Sequence, residues 1–145
     1  MNLGLENCGP GNGKSVMADM TIIDTDILVD VARGIKKASQ FLNKVKAQSA
    51  LAISSVTEME LLVGCRNKAE QAYLDTFLSG YKRITIEARI SDEAVNLLRQ
   101  FRLSHGLLIA DAFIAATVKV TGAEFVTKNY KHYRFIPGLD LKRYS

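Results

Sequence analysis

Three acidic residues occupy positions from which a fold could gather them. Asp24 follows the apolar run Met20 to Ile23, Glu60 comes soon after the run Ala50 to Ile53, and Asp111 heads an apolar helical stripe. Brought to about 4 Å at an effective dielectric near 20, each pair of carboxylates repels by about 4 kcal/mol, so such a site either protonates or captures a cation. Oxygen-only donors favour a hard ion, Mg2+ or Mn2+, over zinc, which prefers the His and Cys that these motifs lack. A divalent ion held in this way orients a phosphodiester, lowers the pKa of an attacking water and neutralises developing charge, so the chemistry expected is phosphodiester hydrolysis. Each acid also has a purely structural reading, Asp24 as a cap on the next turn and Asp111 as an answer to a helix dipole. Their weight comes from convergence.

The elements that would cause the convergence are legible as alternating periodicities. Met20 to Ile23, Ala50 to Ile53, Arg83 to Ile86 and Glu124 to Val126 read as short strands. Between them, helices are expected from a start capped by Asp26 to Arg33, and over 35–47, 55–65, 69–78, 92–103 and 110–120, the last closed by Gly122. Strands separated by helices imply βαβ units and a parallel sheet covered on both faces. In such a sheet ligands bind beyond the carboxyl ends of the strands, which is where Asp24, Glu60, Asp111 and the run Thr127-Lys128-Asn129 fall.

Helical geometry selects among the acids. Asp111 shares a face with Ile114, Ala115 and Val118, so it tops the buried stripe. Glu58 and Glu60 are separated by about 200° around a helix, so one of them at most faces the site. Glu60 borders the apolar side between Val56 and Val63, with Gly64 one turn on, whereas Glu58 fits a capping box begun by Ser55. Glu60 is therefore the candidate.

The 145 residues suit one soluble domain, and no apolar run approaches the roughly 18–20 residues of a membrane span. Two distant cysteines, Cys8 and Cys65, build neither a disulfide framework nor a zinc knuckle, so a cytoplasmic location is expected. The excess of 19 Lys and Arg over 15 Asp and Glu tilts the chain towards polyanionic partners. Residues 1–19 carry no helical or strand period and read as a mobile leader, with Met17 or Met20 as alternative starts and the domain spanning 20–145. The leader's Gly9-Pro10-Gly11-Asn12-Gly13-Lys14-Ser15 imitates a phosphate-cradling loop but has Cys8 where the first Gly belongs and no strand feeding it.

Four runs in order, Ile22-Ile23-Asp24-Thr25-Asp26-Ile27-Leu28, Ile53-Ser54-Ser55-Val56-Thr57 with Glu60-Leu61-Leu62-Val63-Gly64, Asp111-Ala112-Phe113-Ile114-Ala115-Ala116-Thr117 and Phe125-Val126-Thr127-Lys128-Asn129, resemble the PIN-domain ribonucleases. The similarity covers about residues 20–143 and is nearest to the VapC-type toxins of bacterial and archaeal toxin–antitoxin pairs. It implies a three-layer α/β/α PIN-like fold with a central, mostly parallel sheet. It also implies a Mg2+- or Mn2+-dependent endoribonuclease, commonly a homodimer, held inactive by a cognate VapB-like antitoxin. By motif position the catalytic and metal-binding acids would be Asp24, Glu60 and Asp111. Where many relatives carry a further acid after the last strand, this chain has Asn129. Three carboxylates against one divalent ion predict a single firmly held metal, with Thr127 and Asn129 left to position water or a phosphate oxygen.

On the substrate side, Lys128, Lys131, His132, Arg134, Lys142 and Arg143, interleaved with Tyr130 and Tyr133, are candidates to contact RNA phosphates and stack on bases. His105, before Gly106, reads as a helix C-terminal residue favoured by the dipole. The helices over 35–47 and 69–78 are candidate antitoxin or dimer surfaces. Two rival readings stand beside this one. Asp24-Thr25-Asp26 imitates the D-x-D loop of haloacid-dehalogenase-like phosphatases, and a PIN-like module that binds without cutting would also tolerate a missing acid.

Overall fold

The computed structural model of the chain describes residues 19–144; the expectations for residues 1–18, the phosphate-loop imitation among them, lie outside the described residues. Five strands form one sheet, β1 Met20–Ile23, β2 Ala50–Ser54, β3 Lys82–Ile84, β4 Glu124–Thr127 and β5 Asp140–Arg143. Every pairing is parallel and the order is β3-β2-β1-β4-β5. Among the described residues six α-helices connect and cover the strands: α1 Thr25–Ala32, α2 Lys36–Gln48, α3 Ser55–Val63, α4 Lys68–Leu78, α5 Ala88–His105 and α6 Ile109–Thr121.

Pleat alternation splits the core into two layers. Ile22 packs with Ile90, Leu97, Ile114 and Phe125 on the α5–α6 side, while its neighbour Ile23 packs with Ile27, Leu28, Leu42 and Leu74 on the side of α1, α2 and α4. A parallel strand covered on both faces reads as an unbroken apolar run, which is why Met20 to Ile23 carries no polar alternation beyond the buried Thr21. From β1 the chain builds outward through β2 to β3, then crosses back to place β4 on the other flank of β1. That reversal opens a crevice at the carboxyl ends of β1 and β4, and the register Ile23↔Val126 sets Asp24 beside Thr127 within it.

Several boundaries differ from those expected. Asp24, and not Asp26, caps α1, its carboxylate accepting from the Thr25 amide. Ser54, and not Ser55, caps α3, and Glu58 pairs with Arg83 at 3.2 Å instead of completing a capping box. Helix α5 begins four residues early, at Ala88, because Ile90 extends its buried stripe. The tail contains β5, whose alternation Asp140-Leu141-Lys142-Arg143 looks solvated in sequence because only Leu141 turns towards the core.

Phe125 is fully buried on β4 and meets the Tyr133 ring edge-on at 4.9 Å. Truncating it leaves a cavity beneath the site, so Phe125→Ala is expected to lose about 3–5 kcal/mol in urea unfolding. A loss below about 1 kcal/mol would contradict this packing.

Candidate active site

Asp24 is the most constrained polar residue of the crevice. It is 5% exposed, and its carboxylate accepts from the Thr25 amide at 2.9 Å and from the Thr127 hydroxyl at 2.6 Å. The Thr127 hydroxyl in turn accepts from the Asn129 amide at 3.0 Å, so a single line of donors runs from the end of β4 to Asp24. Asn129 contributes its backbone to that line. Burial first, and then the neighbouring Asp26, raise the Asp24 pKa to about 7, against the lowering effect of the Thr127 and Thr25 hydrogen bonds.

Asp111 sits in the first turn of α6. Its carboxylate accepts from the Tyr133 hydroxyl at 3.0 Å, and that phenol oxygen is 3.5 Å from Asp24 Oδ1. Tyr133 is 1% exposed, so it serves the two acids from inside the protein and is not placed to stack on a base at the surface. The sequence conceals this burial because Tyr133 stands among Lys131, His132 and Arg134; the signal available is the apolar company of Phe135 and Ile136. His132 Nδ1 lies 3.8 Å from Asp111 on the solvent side.

Glu60 is exposed at the mouth. The Thr25 hydroxyl donates to it at 2.6 Å and also lies 3.0 Å from the buried Thr57 hydroxyl. Thr25 thus joins Glu60 to Asp24, its amide on one acid and its hydroxyl on the other. Glu58 turns away to Arg83.

The fold therefore brings Asp24 and Asp111 to one phenol and links Glu60 through Thr25, while among the described residues no three acidic, His or Cys side chains are drawn into a closed coordination cluster. Whether the site suits a cation is answered by Asp26. Both its carboxylate oxygens are buried without a hydrogen-bond partner of acceptable geometry. Burial raises its pKa, and the nearby Ile27 and Lys128 amides and the Lys128 charge offset this only in part. A buried, unpartnered carboxylate close enough to raise the Asp24 pKa is the kind of surplus that a hard divalent ion held at Asp24 would relieve.

Of the basic groups expected to meet RNA, Lys128 is paired with Asp30 at 2.9 Å, Arg143 lies over the Tyr130 ring at 4.4 Å and Lys142 is near Glu124 and Asp140. Among the described residues no ion pair holds Lys131 or Arg134, both exposed, and Lys131 shares a pocket with Asp111.

A carboxyl raised from 3.8 to about 7 holds a proton in the folded state that the unfolded chain has released, so metal-free stability falls as pH rises from about 4 to about 7. In EDTA the Tm is expected to be higher at pH 5 than at pH 8, with Mn2+ raising it at pH 8 far more than at pH 5. A flat profile by differential scanning fluorimetry would contradict the burial of Asp24. Tyr133→Phe keeps the ring and deletes the hydroxyl, so it is expected to lose about 1–3 kcal/mol at pH 8 through the abandoned carboxylates. The loss should shrink at pH 5, where Asp24 itself carries a proton.

Residues 21–136 match the family model described as PIN domain. Ribonuclease VapC19 of Mycobacterium tuberculosis is 34% identical over 122 residues, covering 83% of this chain and 97% of that protein. Among solved structures, VapBC2 from Rickettsia felis, bound to a DNA fragment from its promoter, superposes with a TM-score of 0.74 at 28% identity over 87% of this chain and 99% of the other. A toxin–antitoxin complex from Klebsiella pneumoniae gives 0.68 at 32% identity over 82% and 94%. With a family match across most of its length, and the parallel sheet and crevice to go with it, the chain belongs to the PIN-domain family, alongside the VapC ribonucleases.

Proposed function

We propose that the protein is a VapC-type endoribonuclease toxin that hydrolyses RNA phosphodiester bonds, with Asp24, Glu60 and Asp111 as its catalytic and metal-holding acids. The observation that carries this reading is the buried Asp24 carboxylate sharing the Tyr133 hydroxyl with Asp111 at the β1–β4 crevice. A bound Mg2+ or Mn2+ would supply charge neutralisation and a water of lowered pKa. The chain's own residues do the rest. Thr127 and the Thr25 amide fix the rotamer of Asp24, Tyr133 fixes Asp111, and Thr25 fixes Glu60. With its hydroxyl committed to Asp24, Thr127 positions water or phosphate indirectly, leaving the exposed Asn129 side chain as the more direct candidate. Lys131 and Arg134 supply cationic surface for the RNA backbone.

The partners proposed are a VapB-like antitoxin and a second copy of the chain, consistent with the toxin–antitoxin complexes among its structural neighbours. Helices α2 and α4 remain the candidate surfaces, with Ile35 and Tyr73 exposed at 42% and 68%.

With Mn2+ present, the wild type is expected to cleave single-stranded RNA, EDTA to abolish the cleavage, and Asp24→Asn or Asp111→Asn to reduce it by at least about 100-fold. Induced expression should arrest growth and the same variants should relieve the arrest. Toxicity persisting in Asp111→Asn would overturn the assignment. Metal binding by calorimetry without cleavage of any RNA would favour the non-cutting module, and turnover of a small phosphate ester lost in Asp26→Asn but kept in Glu60→Gln would favour the phosphatase.

A further inference from the structure

Asp111 and Lys131 also line a pocket of about 200 Å3 whose other residues the proposed chemistry leaves without a role. Its floor is apolar, with Leu107 buried and Leu108 57% exposed. Lys131 and the His132 imidazole form another side, cationic through the Lys131 ammonium. The remaining wall is aromatic and flat: the His105 imidazole lies against the Phe135 ring, with centroids 4.2 Å apart and planes within 11°. Phe101 buttresses the stack, 5.2 Å from Phe135 and 5.8 Å from His105. The Ser104 hydroxyl, 2.8 Å from His105 Nδ1, holds the imidazole in that rotation. One face of the ring is thus covered by Phe135, and the residue is exposed and lines the pocket.

A flat aromatic face, an apolar floor and a cationic edge match a planar aromatic group that carries a phosphate. We propose that this pocket is a nucleobase subsite in which an unpaired RNA base stacks on His105 and its phosphate passes Lys131 and His132 towards Asp111. The proposal rests on the ribonuclease reading and extends it, since it gives the enzyme a place to hold a particular base next to the bond it cuts. Stacking on an aromatic platform adds affinity that scarcely depends on salt, whereas phosphate contacts set the salt slope. The two contributions are therefore separable.

The test is fluorescence anisotropy of a labelled single-stranded oligoribonucleotide in EDTA, where no cleavage is expected, across a salt series. His105→Ala should weaken binding about tenfold or more at every salt concentration with the slope unchanged, and His105→Phe, which restores a flat ring, should recover it. Lys131→Gln should instead lower the slope by about one. Mn2+ binding by calorimetry should be the same in His105→Ala as in wild type. Equal RNA affinity in His105→Ala, or a loss that appears only as a change of slope, would overturn the subsite. So would displacement of the oligonucleotide by a free mononucleotide at equal concentration, which would make the pocket a small-molecule site. A wild type that binds RNA through His105 yet cuts none with Mn2+ would sink the nuclease reading and leave the subsite standing.

Discussion

The carboxylate of Asp24 ends the central strand with almost no access to water, and a buried charge of this kind costs several kcal/mol unless donors meet it. Those donors come from the pairing of β1 with β4. The register Ile23↔Val126 carries the chain one step further to Thr127, whose hydroxyl reaches Asp24, and the Asp24 amide closes the ladder on the Val126 carbonyl at 3.0 Å. A slip of one residue in β4 would turn Thr127 to the opposite face and send Val126 against a charge. The strand that crosses back after α6 is therefore held in place by polar recognition as well as by Phe125 and Val126 in the core.

The donors limit the cost without removing it. Burial still raises Asp24 to about 7, and Asp26, two residues on, adds repulsion with no hydrogen bond of its own. A protein selected only for stability has little reason to keep that pair, and strongly perturbed acids in a cleft are a mark of functional sites. The surrounding fold can bear the strain because both faces of β1 are packed. Ile22, Ile23, Ile27 and Leu28 are fully buried, so the rotamers of Asp24 and Thr25 are anchored in the core on either side of the charge.

The alternation of strands and helices, and the placing of Asp24, Glu60 and Asp111 near strand ends, were legible because apolar periodicity reports burial directly. What escaped lay where one residue decides between neighbours. Asp24 and Asp26 are equally good caps by type, and only the turn out of β1 puts the first in the capping position. Strand β5 lies at the sheet edge with one inward residue, Leu141, which gives no period to detect. Tyr133 was indistinguishable from Tyr130 by composition. The difference is that the 3-10 turn over Tyr130–His132 folds Tyr133 inward onto Phe125 while Tyr130 stays under Arg143.

Counting charge by motif alone gives three carboxylates and one uncompensated negative charge beside a single divalent ion. The structure changes that count without restoring the missing acid after β4. Asn129 supports Thr127 through its amide, and His132 stands by Asp111 at the edge where a further carboxylate would have added repulsion. Asp26 lies close enough to Asp24 to raise its pKa, and the Lys128 ammonium is paired with Asp30. Acidic groups thus gather around Asp24, while Lys131 and Arg134 place positive charge on the exposed segment after β4. On the proposed ribonuclease function, that arrangement would suit an anionic backbone crossing the rim, with a counter-ion offsetting its repulsion by the carboxylates.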